Sequence, residues 1–181
     1  MNPKILIILV VVIVFGAAGF FLYQNSLSGG GNVLAKDDFS IEIPEGWQES
    51  AASAGVSAIV VNAGEEVTDP AAEKINFRTY YAVTYDVLGG KTQEEYPQYF
   101  KEALEESVPG IEFVAEGALE GKDAYAIQAD ISQQGADFRI WFVIYRGEGD
   151  GIWIVSFNTP KSSWEGYKDL FYRVAASFEV R

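Results

Sequence analysis

Two stretches of this chain are apolar on both alternating sets of side chains. In residues 138–145, Phe138, Ile140, Phe142 and Ile144 alternate with Trp141, Val143 and Tyr145, and residues 152–157 repeat the pattern. A strand that is apolar on both faces has to be covered on both faces. Around these two, residues 111–119, 122–133, 136–146 and 151–158 read as four successive strands, with Gly121, Gly135 and the glycines of residues 147–151 at the breaks. Connections this short pair consecutive strands antiparallel.

The cover is predicted to be helical. Thr92 and Glu95 match a capping box, and Tyr96, Tyr99, Phe100, Ala103, Leu104 and Val108 recur at helical spacing before Pro109 and Gly110. Pro97 belongs in a first turn, so the regular helix is expected to begin near Tyr96. A second helix is expected from Ser162, with Glu165 completing a capping box and Trp164, Tyr167, Leu170, Phe171, Val174, Ala175 and Phe178 along one stripe. Upstream, Phe39, Ile41 and Ile43 alternate in a short strand broken by residues 44–46, with Trp47 packing back on the core. Residues 56–62 and 75–85 read as further strands, and residues 65–73, polar and holding Asp69 before Pro70, as a surface loop. The predicted class is α+β, an α/β/α sandwich whose largely antiparallel sheet is covered by helices.

This domain does not begin at the N-terminus. Nineteen residues from Ile5 to Tyr23 carry no charge, and at 1.5 Å per residue they match the roughly 30 Å hydrocarbon core. They are read as an uncleaved single-pass transmembrane helix; the competing reading, a cleaved signal peptide, has an apolar region of about 7 to 15 residues. Lys4 and the amino terminus before the run, against Lys36 behind it, place the N-terminus in the cytoplasm and the rest outside. Residues 24–36 (QNSLSGGGNVLAK) have the composition of a flexible linker. The expected organisation is therefore 1–23 cytoplasmic tip and membrane helix, 24–36 linker, and 37–181 globular domain.

From Asp37 onward there are 26 acidic and 11 basic residues, a net −15. That balance argues against nucleic acid as a partner and predicts repulsion from anionic lipid. The 181-residue chain has no cysteine and no histidine. Disulfides, thiolate and imidazole metal sites, cysteine nucleophiles and histidine bases are excluded.

Residues 38–47 (DFSIEIPEGW), with residues 151–160 (GIWIVSFNTP) and the aromatic-bearing helix that ends in Ala175, Ala176, Ser177 and Phe178, resemble the opening and closing of PsbP-like domains. The resemblance implies their fold, which serves an extrinsic photosystem II subunit, a nuclear import factor and bacterial envelope proteins. It transfers no activity, because fold does not imply function. PsbP's calcium and chloride retention involves histidine-bearing surfaces, and a chain without histidine departs from that pattern.

Few residues suggest chemistry. The glycine-rich residues 147–151 resemble a phosphate loop, yet a strand follows them where a helix N-terminus is needed, so they read as a hairpin turn. Glu148 and Asp150 there, with Glu65, Glu66 and Asp69 in the acidic loop, are weak candidates for calcium, the common metal suited to an all-oxygen site; the alternative is a solvated acidic face, and no other cofactor is expected. A carboxylate pair 5 to 9.5 Å apart in a cleft is what a glycosidase needs. Residues 51–55 echo a nucleophile elbow without its histidine base. Tyr80, Trp141, Tyr145 and Trp153, if exposed together, mark an interface. The expected function is non-catalytic: a membrane-anchored, extracytoplasmic binding or assembly domain for an unknown envelope partner. The alternatives are a calcium- or ligand-binding envelope protein and a carboxylate hydrolase.

Overall fold

The computed structural model describes residues 32–181, so the apolar run from Ile5 to Tyr23 and most of the glycine-bearing linker lie outside the described residues. Ten strands and three α-helices follow in the order β1 (Asn32–Ala35), β2 (Phe39–Ile43), β3 (Trp47–Ser50), β4 (Val56–Asn62), α1 (Pro70–Lys74), β5 (Tyr80–Val87), α2 (Tyr96–Ser107), β6 (Glu112–Ala118), β7 (Ala124–Gln133), β8 (Ala136–Arg146), β9 (Gly151–Pro160), α3 (Trp164–Ala176) and β10 (Glu179–Val180). Seven strands form one sheet in the order β3-β4-β5-β9-β8-β7-β6, and β1-β2-β10 form a second, smaller one. All pairings are antiparallel. Among the described residues no helix is long and apolar enough to cross a membrane.

The doubly apolar strands sit where their composition requires. All ten residues of β9 are buried, and β9 lies between β5 and β8 at the middle of the large sheet. Phe138, Ile140, Phe142, Ile144, Ile152 and Ile154 pack on one face with Tyr96, Phe100, Ala103 and Leu104 of α2. Trp141, Val143, Tyr145, Trp153, Val155 and Phe157 pack on the other with Trp164, Phe171 and Val174 of α3. That second face is not covered by helix alone. Leu34, Phe39 and Ile41 of the small sheet complete it, so the expected α/β/α sandwich has a mixed helix-and-sheet layer on one side.

Hydrogen bonds hold this mixed layer down. The Tyr81 hydroxyl donates to the Glu42 carbonyl at 2.7 Å, and the Glu42 amide donates to Ser177 Oγ at 2.8 Å. The Tyr145 hydroxyl donates to the Ala175 carbonyl at 2.7 Å. Burial pushes both tyrosine hydroxyls far above their ordinary pKa, so they stay protonated donors.

Four local expectations change. Asn32–Ala35, inside the stretch read as linker, is strand β1: it pairs along β2 and buries Leu34. Residues 65–73 are not all loop, since Asp69 caps the short helix α1 by accepting from the amides of Ala71 and Ala72, each at 3.0 Å. The strand expected from Ile75 starts only at Tyr80, because the chain leaves α1 through Asn76 at a positive φ of 54°. Ser162 does not cap α3; its hydroxyl donates to Asp69 Oδ2 at 2.9 Å, and the regular helix begins at Trp164. The Thr92–Glu95 capping box does form, with Thr92 N to Glu95 Oε2 at 2.8 Å and Glu95 N to Thr92 Oγ1 at 3.3 Å, just ahead of α2.

Phe157→Ala is expected to cost about 3–5 kcal/mol in urea unfolding, as a fully buried aromatic at the sheet centre. A chain starting at Asp37 is expected to lose on the order of 2 kcal/mol against one starting at Asn32, from the exposure of apolar surface that Leu34 covers. Equal stability of the two would place β1 outside the folded unit.

Candidate functional site

The large sheet has two ends. At one, Tyr80 pairs with Asn158 and Trp47 with Asn62; at the other, Val87 pairs with Gly151. The small sheet runs along the same direction. Phe39 lies against Trp153, with ring centroids 5.1 Å apart, while Glu42 meets Tyr81. Asn32 pairs with Ile43, so the chain enters the domain at the Tyr80 end, the entry end. The Val87 end is the open end.

At the open end α3 and the small sheet stop short of covering β5. Tyr85 and Val87, two residues apart on one face of that strand, are 42% and 43% exposed. The other large exposed apolar side chains among the described residues, Val33, Val114 and Tyr172, are on three different elements. Beside Tyr85 opens a cleft of about 430 Å³ lined by Asp38, Ser57, Tyr85, Glu148, Trp153 and Val180, with Arg181 at its rim. Tyr85 is packed against two neighbours. Its ring stands edge-on to Trp153, centroids 4.9 Å apart, and a Cβ on Gly151 would meet its hydroxyl oxygen at 2.7 Å. The turn bearing Glu148 is fixed by Gly147 N to Gly151 O at 2.8 Å, Gly151 N to Glu148 O at 2.9 Å and Leu88 N to Asp150 O at 2.8 Å.

A second open cleft, about 470 Å³, lies at the same end on the α2 side, with Tyr125, Ile144 and Ile152 among its lining. An ion pair from Lys101 to Glu116 at 2.8 Å borders it, and Lys122 donates to the Phe178 carbonyl at 3.2 Å. Two of its bases are thus already engaged.

The predicted site residues are scattered. Tyr80, Trp141, Tyr145 and Trp153 are all buried, which corrects the idea that they form an exposed interface: they belong to strands covered on both faces. Trp153 reaches the first cleft as its floor and Tyr145 the second. Among the acids, Glu65 turns inward and accepts from Thr79 N at 2.5 Å, Thr79 Oγ1 at 2.6 Å and the Tyr167 hydroxyl at 2.8 Å. Burial, and then this carboxylate, push the Tyr167 hydroxyl up to about 12. Asp69 caps α1, Glu66 is exposed, and Glu148 and Asp150 sit on the open-end turn. Among the described residues no three acidic side chains gather closely enough to hold a metal ion. The 147–151 glycines form the β8–β9 hairpin turn, and residues 51–55 are an exposed connection leading into strand β4. Tyr85, Val87, Asp38, Ser57 and Arg181 went unrecognised as site residues. The available signal was the β5 alternation, which continues apolar at Val87 beyond the reach of any predicted cover.

One charged group is structural. Asp130, 7% exposed, is gripped by Arg139 through Nε at 2.7 Å and Nη2 at 2.8 Å and by Lys161 at 2.8 Å, and Arg139 also lies over the Trp164 ring. Partial burial pushes its carboxyl up, but the two bases outweigh it and hold it below the ordinary range. In Asp69 the Ala72 amide is the largest cause of a lowering in the same sense. A depressed folded-state pKa contributes stability present above the unfolded value, about 3.9, and lost as pH falls through the folded one. Stability is therefore expected to drop below about pH 4, and Asp130→Asn should flatten that acid limb in urea titrations. Gly151→Ala should displace Tyr85 and destabilise by about 1–3 kcal/mol, with the Tyr85 ring resonances shifting in NMR spectra.

No family model matches the chain, and no curated protein matches it in sequence. Solved structures do. The cyanobacterial PsbP (CyanoP) of Synechocystis superposes with a TM-score of 0.61 at 17% identity, covering 87% of this chain and 98% of that one. The Saccharomyces cerevisiae Ran-binding protein Mog1p gives 0.59 at 15% identity, with 84% and 96% covered. LpqN, involved in cell envelope biogenesis of Mycobacterium tuberculosis, gives 0.55 at 13% identity, with 84% and 86% covered. Each likeness runs over nearly the whole described domain, at identities where only the backbone arrangement is shared. The domain has the PsbP-like fold.

Proposed function

We propose that this chain is a single-pass membrane protein that presents a non-catalytic binding or assembly domain outside the cytoplasmic membrane. The observation that carries this reading is the exposed Tyr85–Val87 pair over the buried Trp153, beside a cleft at the one end of the large sheet that the mixed layer leaves bare. Rigid aromatic and aliphatic surface next to a pocket is what protein interfaces use as anchors. The cleft has acids, a serine and an arginine but no histidine or cysteine, so the histidine-base and cysteine-nucleophile schemes are not open to it. That a Ran-binding protein and an envelope-biogenesis protein share this fold is in keeping with a binding role.

The anchor supports a limited reach for the domain. With β1 part of the domain, eight residues, 24–31, separate Tyr23 from Asn32, and they reach at most roughly 28 Å. The chain enters at the Asn32 end, and the open end lies about one strand length away from that entry, roughly 27 Å for the eight residues of β5. The cleft then faces a partner in the extracytoplasmic space, and the net −15 keeps the domain off anionic headgroups.

In fractionated cells the chain is expected in the membrane fraction, with the domain digested by protease added outside. The double variant Tyr85→Ser, Val87→Ser should stay folded at a cost of about 1–2 kcal/mol, since each side chain is a little under half exposed, while its chemically crosslinked partner disappears. Retention of the partner would move binding away from this end.

A further inference from the structure

We propose that the occupant of the open-end cleft is a basic segment of a protein partner, which seats a lysine or arginine over the exposed Tyr85 ring and between the turns that carry Asp38 and Glu148. This rests on the binding-module reading above and adds the chemistry of the partner. The cleft floor is aromatic and its walls are acidic: Asp38 and Glu148 line it against the single lining base Arg181, and Asp37 and Asp150 lie exposed on the same two turns. A cation over an aromatic ring gains from the ring quadrupole, and gains more as it is desolvated. Tyr85 offers that ring half exposed, with its edge contact to Trp153 fixing its orientation.

The site is built before the partner arrives. The Glu148 turn is closed by two backbone hydrogen bonds of its own and tied to the end of β5 by a third, and Arg181 N donates to the Asp38 carbonyl at 2.9 Å, which fixes the other wall. Little ordering is left to be done on binding. Charge decides among occupants. The domain of a second copy would bring another −15 against the cleft, and an anionic lipid surface would meet the same repulsion, whereas a basic segment is steered in. The apolar neighbour of the incoming cation has Val87 to rest on, two residues along the same strand face.

The test replaces Tyr85, and separately Val87, with the photocrosslinking residue benzoylphenylalanine in the full chain in its native membrane, with Tyr172 as the control position. Mass spectrometry then reads the captured segment. The expected result is a lysine- or arginine-bearing segment captured from positions 85 and 87 and not from 172. A fluorescein-labelled peptide of that sequence should bind the full chain in detergent micelles, and the double variant Asp38→Asn, Glu148→Gln, checked for an unchanged melt, should weaken it about fivefold, with a smaller salt dependence. Capture of a neutral or acidic segment, or an affinity that the double variant does not change, overturns the basic-segment proposal and leaves the binding reading standing. Capture of lipid or of a second copy of the chain also overturns it. No capture at either position overturns both.

Discussion

The rest of the structure depends on the burial of β9 from both sides. Ten consecutive buried residues in the middle of a seven-stranded sheet cannot be stable with water on either face. At roughly 1.5–3 kcal/mol for each large apolar side chain removed from water, Ile152, Trp153, Ile154, Val155 and Phe157 supply more driving force than any polar contact in the molecule. Each neighbouring element can be read as cover for that strand. Helix α2 lies over the isoleucine side, and α3 with the three-stranded sheet over the tryptophan and phenylalanine side. The polar groups buried in the process are mostly satisfied in place. Tyr96 donates to Asp86 at 2.6 Å and Thr79 leans on Thr159 at 3.1 Å, while the Tyr80 hydroxyl and Asn158 Oδ1 alone among the described buried side-chain atoms stay without a protein partner.

The candidate site follows from where that cover ends. The mixed layer is tied down at Glu42, Ala175 and Phe178, and none of these ties reaches the last pairs of β5 with β9. The Tyr85 ring can lie over Gly151, opposite the end of the strand, because that glycine has no side chain to crowd it. The alternation that buries Tyr81 and Val83 against the mixed layer therefore places Tyr85 and Val87 on the same face beyond its edge. The site uses no special motif. It arises from a strand that runs on for three residues, Tyr85 to Val87, past the layer packed on it.

Much of the sheet was legible because its signals are local. Glycine breaks bound β6 to β9, both alternating sets of β8 and β9 are apolar, and the Thr92–Glu95 box marks the start of α2 through contacts three residues apart. The errors lie where a tertiary partner overrode a local rule. Ser162 has a capping-box spacing to Glu165, but its hydroxyl is taken by Asp69, 93 residues earlier. Residues 32–35 have linker neighbours yet form a strand because β2 offers them a free edge. The four aromatics expected at an interface are buried because each lies on a strand with a layer on either side.

The sequence by itself determined that the large sheet is covered on both faces, which strands pair in succession, that histidine and cysteine chemistry is absent, and that a strongly acidic domain follows an uncharged apolar run. These are properties of composition and of spacings of a few residues, and the chain carries them wherever it goes. Only the tertiary structure decided that three strands from the two ends of the domain, β1, β2 and β10, join into a second sheet, and how far that sheet reaches. The exposure of Tyr85 and the wall formed by Asp38, Glu148 and Arg181 depend on that reach. They bring together residues more than a hundred positions apart, and no local spacing encodes where one layer stops upon another.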